Sequence, residues 1–466
     1  MSLKTFIQQH PRVADAYAFA ESVHRGQTRK NGQPYVDHVT NVAATVAELN
    51  LDEETVIAAL LHDIVEQTPH ILSDVENRFG ATVARLVGGV ERLGAIKYRG
   101  NKAQRTAVRV SILGSIDDVR TLIIKLADRL DSMRTIRALP ADKQTRIAAE
   151  TADIYAPLAS QLGMQRIGGE LAERSFPVLH PKEYENLVAS VRDQYRERTA
   201  YLKKITPLLV AELGKNTVPL VSMDYRAKHY HSLHEKLQRT GKDLGTIYDL
   251  IAIRLIVPSV ESCYAALGAV HALWPPVPGR IKDYIALPKQ NGYRSLHTTV
   301  FSPENKITEI QIRTSEMHEQ AENGIAAHWA YKEGNTAAAA RFNGDIIQRL
   351  RQWREDPGNP QSFRIDFFKD RIFVNTPKGE IVDLPAGATP VDFAYQIHSD
   401  VGDTCRGAFV NGKAAALDFR LRSGDVVKIV TQKNKKPSAS WLAFVQTNAA
   451  KSRIRAHLKK KRSLDA

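Results

Sequence analysis

The sequence predicts a multidomain chain: an all-α domain, then a mixed α/β domain, then a small β-grasp domain. Three observations predict it. At 466 residues the chain is too long for one ordinary domain, and about three is the expectation from length. Residues 1–180 show apolar positions at helical spacing throughout. Short apolar and alternating runs begin only beyond residue 216, and hairpin signals cluster after 366.

In the first region PRVADAYAFAESVH, VTNVAATVAELN, ETVIAALLHDIVEQ, SDVENRFGATVARLVGGVERL and KQTRIAAETADIYAPLASQLG each read as a helix, with RTLIIKL ambiguous. Residues 181–215 continue as a charged helical linker. The second domain, 216–335, has a buried strand in DLIAIRLIVP (249–258) and alternating strands in SLHTTVFS (295–302) and KITEIQIRT (306–314). Residues 336–365 form a helical connector. In 366–432, RIFVNT and EIVDLP flank a turn, and TPVDFAYQIH is a short helix with Thr389 as N-cap and Pro390 in its first turn. Asn411-Gly412 then makes a hairpin turn and DVVKIVT a last strand, the order ββαββ. Residues 433–466 are a basic tail, with seven Lys or Arg and one acid in KSRIRAHLKKKRSLDA. Two readings of that tail stand open: a solvated segment, or one laid on RNA phosphates.

Composition narrows the function classes. Lys and Arg outnumber Asp and Glu 65 to 51, a net charge of +14 that suits polyanionic partners. Two cysteines, Cys263 and Cys405, make neither a disulfide framework nor a zinc site, and MSLKTFIQQHPR lacks the apolar core of a signal peptide. A cytoplasmic location is expected. No apolar run is long enough to span a membrane.

LLHDIVEQT (60–68) sets His62, Asp63 and Glu66 into an apolar segment, where uncompensated polar groups are costly. With His38 in YVDHVTNVA and Asp128 in LIIKLADRLDSMR they make a mixed N/O donor set, suited to Mn²⁺, Fe²⁺ or Zn²⁺. The competing reading is a helical bundle with satisfied core polar groups; the four residues together favour the metal. These stretches, with HRGQTRKNGQPYVDH (24–38) and KLADRLDSMRT (125–135), resemble the HD hydrolase domain of the RelA/SpoT homologue family, the long alarmone enzymes. The resemblance implies metal ligands at His38, His62, Asp63 and Asp128, usually with Mn²⁺. It implies nucleotide contacts at Arg29, Lys30, Ser132 and Thr135, and removal of the 3′-diphosphate of (p)ppGpp. The family's Glu-Asp pair is here Glu66-Gln67, and Gln67 takes no proton at neutral pH. The family's RLHNMRT is RLDSMRT, with Asp131 and Ser132, and Val39 replaces a proline. Hydrolysis, or a regulatory HD domain in a synthetase, are the two alternatives this leaves.

In the middle domain, YRAKHYHSLHEK (225–236) carries Arg226, Lys228, Ser232 and Lys236; on a helix the last three would share a face able to grip phosphates. Glu309, Gln311 and Arg313 share one strand face, as do Tyr293, Ser295 and His297 if that strand begins early. Acids, an aromatic and many cations suit a site joining two nucleotides. YDLIAIRLIV, WPPVPGRIKDYIALPKQNGYRSLHTTV and EIQIRTSEMHEQAENGIAAHWAYKEG closely resemble the same family's nucleotidyltransferase-like synthetase domain. The resemblance implies that Asp249 and Glu309 hold Mg²⁺, with Glu309 activating the 3′-hydroxyl of GDP or GTP. It implies that Tyr293 stacks on guanine beside Lys289, Asn291 and His297. Arg226, Lys228, Ser232, Lys236 and Arg254 would lie on the ATP side. RIKD (280–283) resembles the basic form of a family motif, which implies the bifunctional branch. RIFVNTPKGEIVDLPAGATPVDFAYQIHSDVG (371–402) resembles a TGS domain, implying that His398 contacts deacylated tRNA on the ribosome. The family's zinc-finger and ACT regions are expected to be lacking.

Overall fold

The computed structural model describes residues 2–96, 98, 108–109, 111–112, 115–240, 250–289, 293–332, 371–377, 381–385, 387–422, 425–433 and 435–462. They divide into two units, Met1–Ile285 with Tyr293–Ile365, and Ala286–Gly292 with Asp366–Ala466. The expected connector at 336–365 lies outside the described residues.

The first unit begins with helices α1 (Leu3–Gln9), α2 (Pro11–Val23), α3 (Tyr35–Glu48), α4 (Glu53–Leu61) and α5 (Ile64–Gln67). The single helix expected over ETVIAALLHDIVEQ is therefore two. Asp63 (φ −99°, ψ 2°) leaves the helical region, and the break falls on the His-Asp pair. Gly80, at φ +97°, likewise divides α6 (Leu72–Phe79) from α7 (Ala81–Gly94). RTLIIKL resolves as the start of helix α8 (Val119–Arg134), with the Asp118 side chain accepting from the Arg120 N–H. The stretch read as one helix over 143–163 is α9 (Ala141–Glu150), a π-turn at Thr151–Tyr155, and α10 (Ala156–Gln161). Pro157 has no N–H to return to the Asp153 carbonyl; Arg109 Nε donates to it instead at 3.0 Å.

After α11 (Gln165–Leu179) comes α12 (Pro181–Lys215), 35 residues long. It was expected as a linker, but it is a wall of the next core. Leu187, Val191, Leu202, Ile205 and Leu209 are buried with Ile253, Leu255, Ile310 and Ile312 of a five-stranded sheet. The sheet runs β1 (Ser222–Ala227), β2 (Ile251–Val257), β5 (Lys306–Thr314), β4 (Leu296–Ser302), β3 (Lys282–Asp283). Among the described strands of this sheet, only β2 and β5 pair in parallel. Helix α13 (Tyr230–Thr240) follows β1, and α14 (Val260–Leu273), capped by Ser259, follows β2. Helices α15 (Ser315–Asn323) and α16 (Ile325–Lys332) follow β5.

Helix α16 packs into the helical domain. Trp329 Nε1 donates to Asp52 Oδ2 at 2.8 Å, and Arg120 donates to the same oxygen at 2.9 Å while lying 4.8 Å from the Trp329 ring centroid. At the α15–α16 turn Gly324 takes φ +52°, and a Cβ there would meet the Leu162 carbonyl oxygen at 2.2 Å. Two backbones approach so closely that only glycine fits.

In the second unit a hairpin pairs β6 (Arg371–Asn375) with β7 (Ile381–Pro385). Helix α17 (Pro390–Ile397) has the Thr389–Asp392 capping box. After α18 (Ser399–Asp403), strand β8 (Cys405–Val410) lies between β10 (Val427–Thr431) and β9 (Lys413–Ala415). Asn411 (φ 52°) and Gly412 (φ 78°) form the tight turn expected of them. The basic tail is folded in part: α19 (Asn448–Arg462) buries Ala450 and Ile454 against Val391, Ala394 and Trp441.

Candidate functional sites

The break between α4 and α5 turns His62 and Asp63 toward α3 and α8. His38, His62 and Asp128 offer ligand atoms within 4.8 Å of one another, and the two histidines are buried. Asp63 stands beside both imidazoles, 3.5 Å from His38 Nε2 and 3.3 Å from His62 Nε2. The tautomers follow from the partners. His62 Nδ1 lies 2.9 Å from the Ala59 carbonyl, so it donates, and its buried Nε2 has no hydrogen-bond partner. His38 Nδ1 donates to Asp131 Oδ2 at 2.6 Å, and its Nε2 is 3.5 Å from Asp128. Two imidazole Nε2 atoms and carboxylate oxygens thus converge, one of them orphaned: the mixed donor set a borderline divalent cation takes. The residues present fit such an ion.

Electrostatics agrees. Burial opposes charge on His38, but hydrogen bonds to Asp128, Asp131 and Asp63 outweigh it and raise its pKa to about 11. The same proximity holds Asp63 and Asp128 below the carboxylate range against their burial. Without a metal, a proton supplies the positive charge; a cation would take its place. Tyr35 donates to Asp63 Oδ2 at 2.6 Å, and Lys125 pairs with Asp128 Oδ2 at 2.8 Å. Arg29 Nη1 reaches Asp131 Oδ2 (3.0 Å) and Thr135 Oγ1 (3.2 Å), and Ser132 Oγ donates to Asp128 Oδ1 at 3.4 Å. Lys30 is exposed beside Lys143, whose neighbouring ammonium lowers its pKa. Glu66 and Gln67 are exposed rather than set into the apolar core, and the Gln67 carbonyl accepts from Gln27 Nε2 at 3.1 Å.

The sheet makes the second constellation. Register places Asp224, Arg254, Gln311, His297 and Lys282 in one row across β1, β2, β5, β4 and β3. One step along the same face, Arg226 pairs with Ala252 and Glu309 with Thr299. Four predicted residues, Arg226, Arg254, His297 and Glu309, therefore share a face, while Ile310 and Ile312 fill the core behind it. Glu309 Oε1 accepts from Gln311 Nε2 at 2.9 Å and lies 3.5 Å from His297 Nδ1. His297 Nε2 is 2.8 Å from the Tyr293 hydroxyl, with Tyr284 edge-on to both rings. Glu322 Oε1 accepts from Arg313 (2.9 Å) and Arg254 (3.4 Å). Burial alone would raise the Glu322 pKa; Arg313, Arg226 and Arg254 bring it below its usual value. Burial and the charge of Arg313 lower that of Arg254.

Three family models match in chain order: the HD domain over residues 16–165, the region found in RelA / SpoT proteins over 225–336, and the TGS domain over 372–431. The chain belongs to the RelA/SpoT family. It is 44% identical over 98% of its length to the guanosine-3′,5′-bis(diphosphate) 3′-pyrophosphohydrolase of Aquifex aeolicus (strain VF5), covering 66% of that protein. It is 43% identical over 97% of its length to the bifunctional (p)ppGpp synthase/hydrolase SpoT of Escherichia coli (strain K12), covering 65% of it. The chain thus spans just under two thirds of these relatives. Among solved structures, small alarmone synthetase 1 from Bacillus subtilis bound to its product pppGpp is 26% identical, covering 38% of this chain and 96% of its own, with TM-score 0.24. The fold class is an HD domain, a nucleotidyltransferase-like synthetase domain and a TGS domain.

Other expected positions differ in this RelA/SpoT chain. Arg226, Lys228, Ser232 and Lys236 do not lie on one helix: Arg226 is in β1, Lys228 in the turn after it, and only Ser232 and Lys236 are on α13. The Lys228 N–H and carbonyl are tied to Leu250 and Tyr195, since a chain leaving β1 still pairs with the start of β2. β4 begins at Leu296, so Tyr293 and Ser295 precede it and reach the site from the preceding loop. Asp249 and Asn291 lie outside the described residues, and Lys289 groups with the second unit. In that unit His398 caps α18, accepting from the Asp400 N–H at 3.2 Å, with its side chain 64% exposed. Asp131, Tyr35 and Lys125 were missed as partners of the ligands, although each stands three residues from a predicted ligand at helical spacing. Among the described residues no helix is long and apolar enough to cross a membrane.

Proposed function

We propose that the chain transfers the β,γ-diphosphate of ATP to the ribose 3′-oxygen of GDP or GTP, and that its HD domain removes the 3′-diphosphate from (p)ppGpp. The observation that carries the transfer reading is the sheet face on which Arg226, Arg254, His297 and Glu309 meet from four strands. The names of the relatives and the quoted motifs support both halves. The proposed domains are hydrolase 1–180, helix 181–215, synthetase 216–335, connector 336–365, TGS 366–432 and tail 433–466.

In the transfer, the acceptor 3′-oxygen bonds to the β-phosphorus of ATP as the bond from that phosphorus to the α,β-bridging oxygen breaks, and AMP leaves. Glu309 takes the hydroxyl proton, and its bond from Gln311 and its proximity to His297 fix its direction. Tyr293, Lys289, Asn291 and His297 hold the guanine nucleotide; Arg226, Lys228, Ser232, Lys236 and Arg254 hold ATP phosphates. Mg²⁺, held by Asp249 and Glu309, would neutralise phosphate charge; Glu309 offers the oxygen donor that this ion takes. In the hydrolysis, a water oxygen bonds to the phosphorus attached to the ribose 3′-oxygen, that ester bond breaks, and diphosphate departs. His38, His62, Asp63 and Asp128 would hold Mn²⁺, which acidifies water when bound. Glu66, which is exposed, would take the proton, Gln67 being unable to. Arg29, Lys30, Ser132 and Thr135 line the nucleotide. His398 and the basic α19 are proposed contacts for ribosome-bound deacylated tRNA, in the cytoplasm.

The test is incubation of the full chain with Mg²⁺, ATP and GDP. Formation of ppGpp is expected, and loss of it in Glu309→Gln; undiminished product from that variant would refute the assignment. With ppGpp and Mn²⁺, release of GDP and diphosphate is expected. Gln67 favours a second reading, a synthetase with a regulatory HD domain; there ppGpp persists, and Gln67→Asp restores turnover.

A further inference from the structure

Along α8 and its C-cap, Lys125, Asp128, Ser132 and Thr135 recur at spacings of three and four, and Asp131 falls within the same face. Asp131 is 2% exposed, yet ionised carboxylates are costly to bury unless bonded. Its compensation is complete and comes from three elements. Oδ2 accepts from His38 Nδ1 on α3 (2.6 Å) and from Arg29 Nη1 in the loop before it (3.0 Å). Oδ1 accepts from Asn41 Nδ2, also on α3 (3.1 Å). A carboxylate has no proton to give at neutral pH, so its bond to His38 admits one tautomer: Nδ1 protonated, Nε2 facing Asp63 and Asp128. Where the family carries histidine in RLHNMRT, this chain carries a charge.

The geometry points to Asp131 as a positioning residue of the HD metal centre: it fixes His38 with Nε2 toward the cation, and shares its carboxylate with Arg29 on the nucleotide side. The inference rests on the proposed metal-dependent reading of that centre. A carboxylate behind a ligating imidazole orients the ring, fixes its tautomer and makes the other nitrogen a better donor; losing such a partner weakens metal binding about 10–100-fold. Asn41 on the second oxygen and Arg29 on the first prevent the carboxylate from rotating away, so the imidazole keeps its aim when the ion is absent.

The experiment titrates Mn²⁺ into the full chain and reads free Mn²⁺ by electron paramagnetic resonance, with Asp131→Asn as the variant and circular dichroism as the check of folding. Asparagine keeps the volume and removes the charge; the expected dissociation constant rises about 10–100-fold. In ¹⁵N-histidine spectra of the protein loaded with diamagnetic Zn²⁺, the parent should show a strongly hydrogen-bonded His38 Nδ1–H proton that the variant lacks. If Asp131→Asn does not fold, Asp131→Ser is used, with the same expectation. A folded variant binding Mn²⁺ like the parent overturns the inference and leaves the metal centre standing. A folded parent that takes up no Mn²⁺ overturns the metal reading itself, and the inference with it.

Discussion

Asp52 joins the helical domain to the helix that carries Trp329, and its removal can be costed. Its Oδ1 caps α4, accepting from the Thr55 N–H at 2.8 Å and the Thr55 hydroxyl at 2.5 Å. Its Oδ2 accepts from Trp329 Nε1 and Arg120 Nη1, all three residues being at most 8% exposed. Replacing an N-cap aspartate by alanine costs about 1 kcal/mol. A hydrogen bond to a charged group contributes about 1.5–3 kcal/mol, and here one is lost from each of two buried donors. Arg120 keeps its two-pronged pairing with Asp118, which limits its share. The sum for Asp52→Ala is about 3–5 kcal/mol, a large part of the roughly 5–15 kcal/mol that holds a domain folded. Trp329→Phe keeps an aromatic ring but removes the indole N–H and part of the bicyclic ring, so about 1.5–3 kcal/mol is expected. Urea denaturation followed by circular dichroism measures both, and the double variant gives their coupling. Because the indole N–H bonds Asp52 directly, the double variant should cost about 1 kcal/mol less than the sum of the singles. Additive losses, or an Asp52→Ala protein within about 1 kcal/mol of the parent, would show that this contact does not bind the domains together.

Two further perturbations probe the same unit. Gly324→Ala should destabilise by more than about 3 kcal/mol, since its Cβ would meet the Leu162 carbonyl at 2.2 Å at a backbone angle disfavoured for alanine; an unchanged melting temperature refutes the close approach. Glu322→Gln should cost about 3–5 kcal/mol at neutral pH by leaving the fully buried Arg313 guanidinium without its counter-charge. Its pH dependence has a fixed sign. Because the folded pKa lies below the ordinary 4.5, the carboxylate's contribution is complete above that pH and is lost as pH falls through the lowered value. Stability measured across the acid limb should therefore fall less steeply in Glu322→Gln than in the parent, and parallel curves would refute the pairing.

What could be read from the sequence was set by how far apart the partners lie along the chain. Alternation in KITEIQIRT separates Glu309, Gln311 and Arg313 from Ile310 and Ile312 with no knowledge of the neighbours, because strand geometry has a period of two. Which residues face Glu309 from other strands depends on register, which alternation in one strand leaves open. The Arg254–Gln311–His297 row appears only when β2 and β4 flank β5. Helix ends were misjudged for a related reason. Apolar spacing runs unbroken through LLHDIVEQ, so periodicity joins α4 to α5, yet the chain turns at His62-Asp63, where the Ala59 carbonyl takes the imidazole N–H and the orphaned Nε2 faces inward. The polar residues that interrupt an apolar run are thus the ones that interrupt the helix.

The seam shows the opposite limit. Trp329 and Asp52 are 277 residues apart, and neither has a local pattern that distinguishes it from a core tryptophan and an ordinary N-cap. Yet Asp52 begins the helix that ends at His62, and Arg120 sits in the first turn of the helix that carries Asp128. One carboxylate therefore caps the helix that leads to His62, holds the Arg120 side chain from the first turn of the helix that carries Asp128, and also receives Trp329 of α16. Withdrawal of the indole N–H would leave Asp52 Oδ2 with Arg120 as its partner. The helical domain and helix α16, which follows β5, thus meet at one carboxylate, a connection that only the folded chain makes.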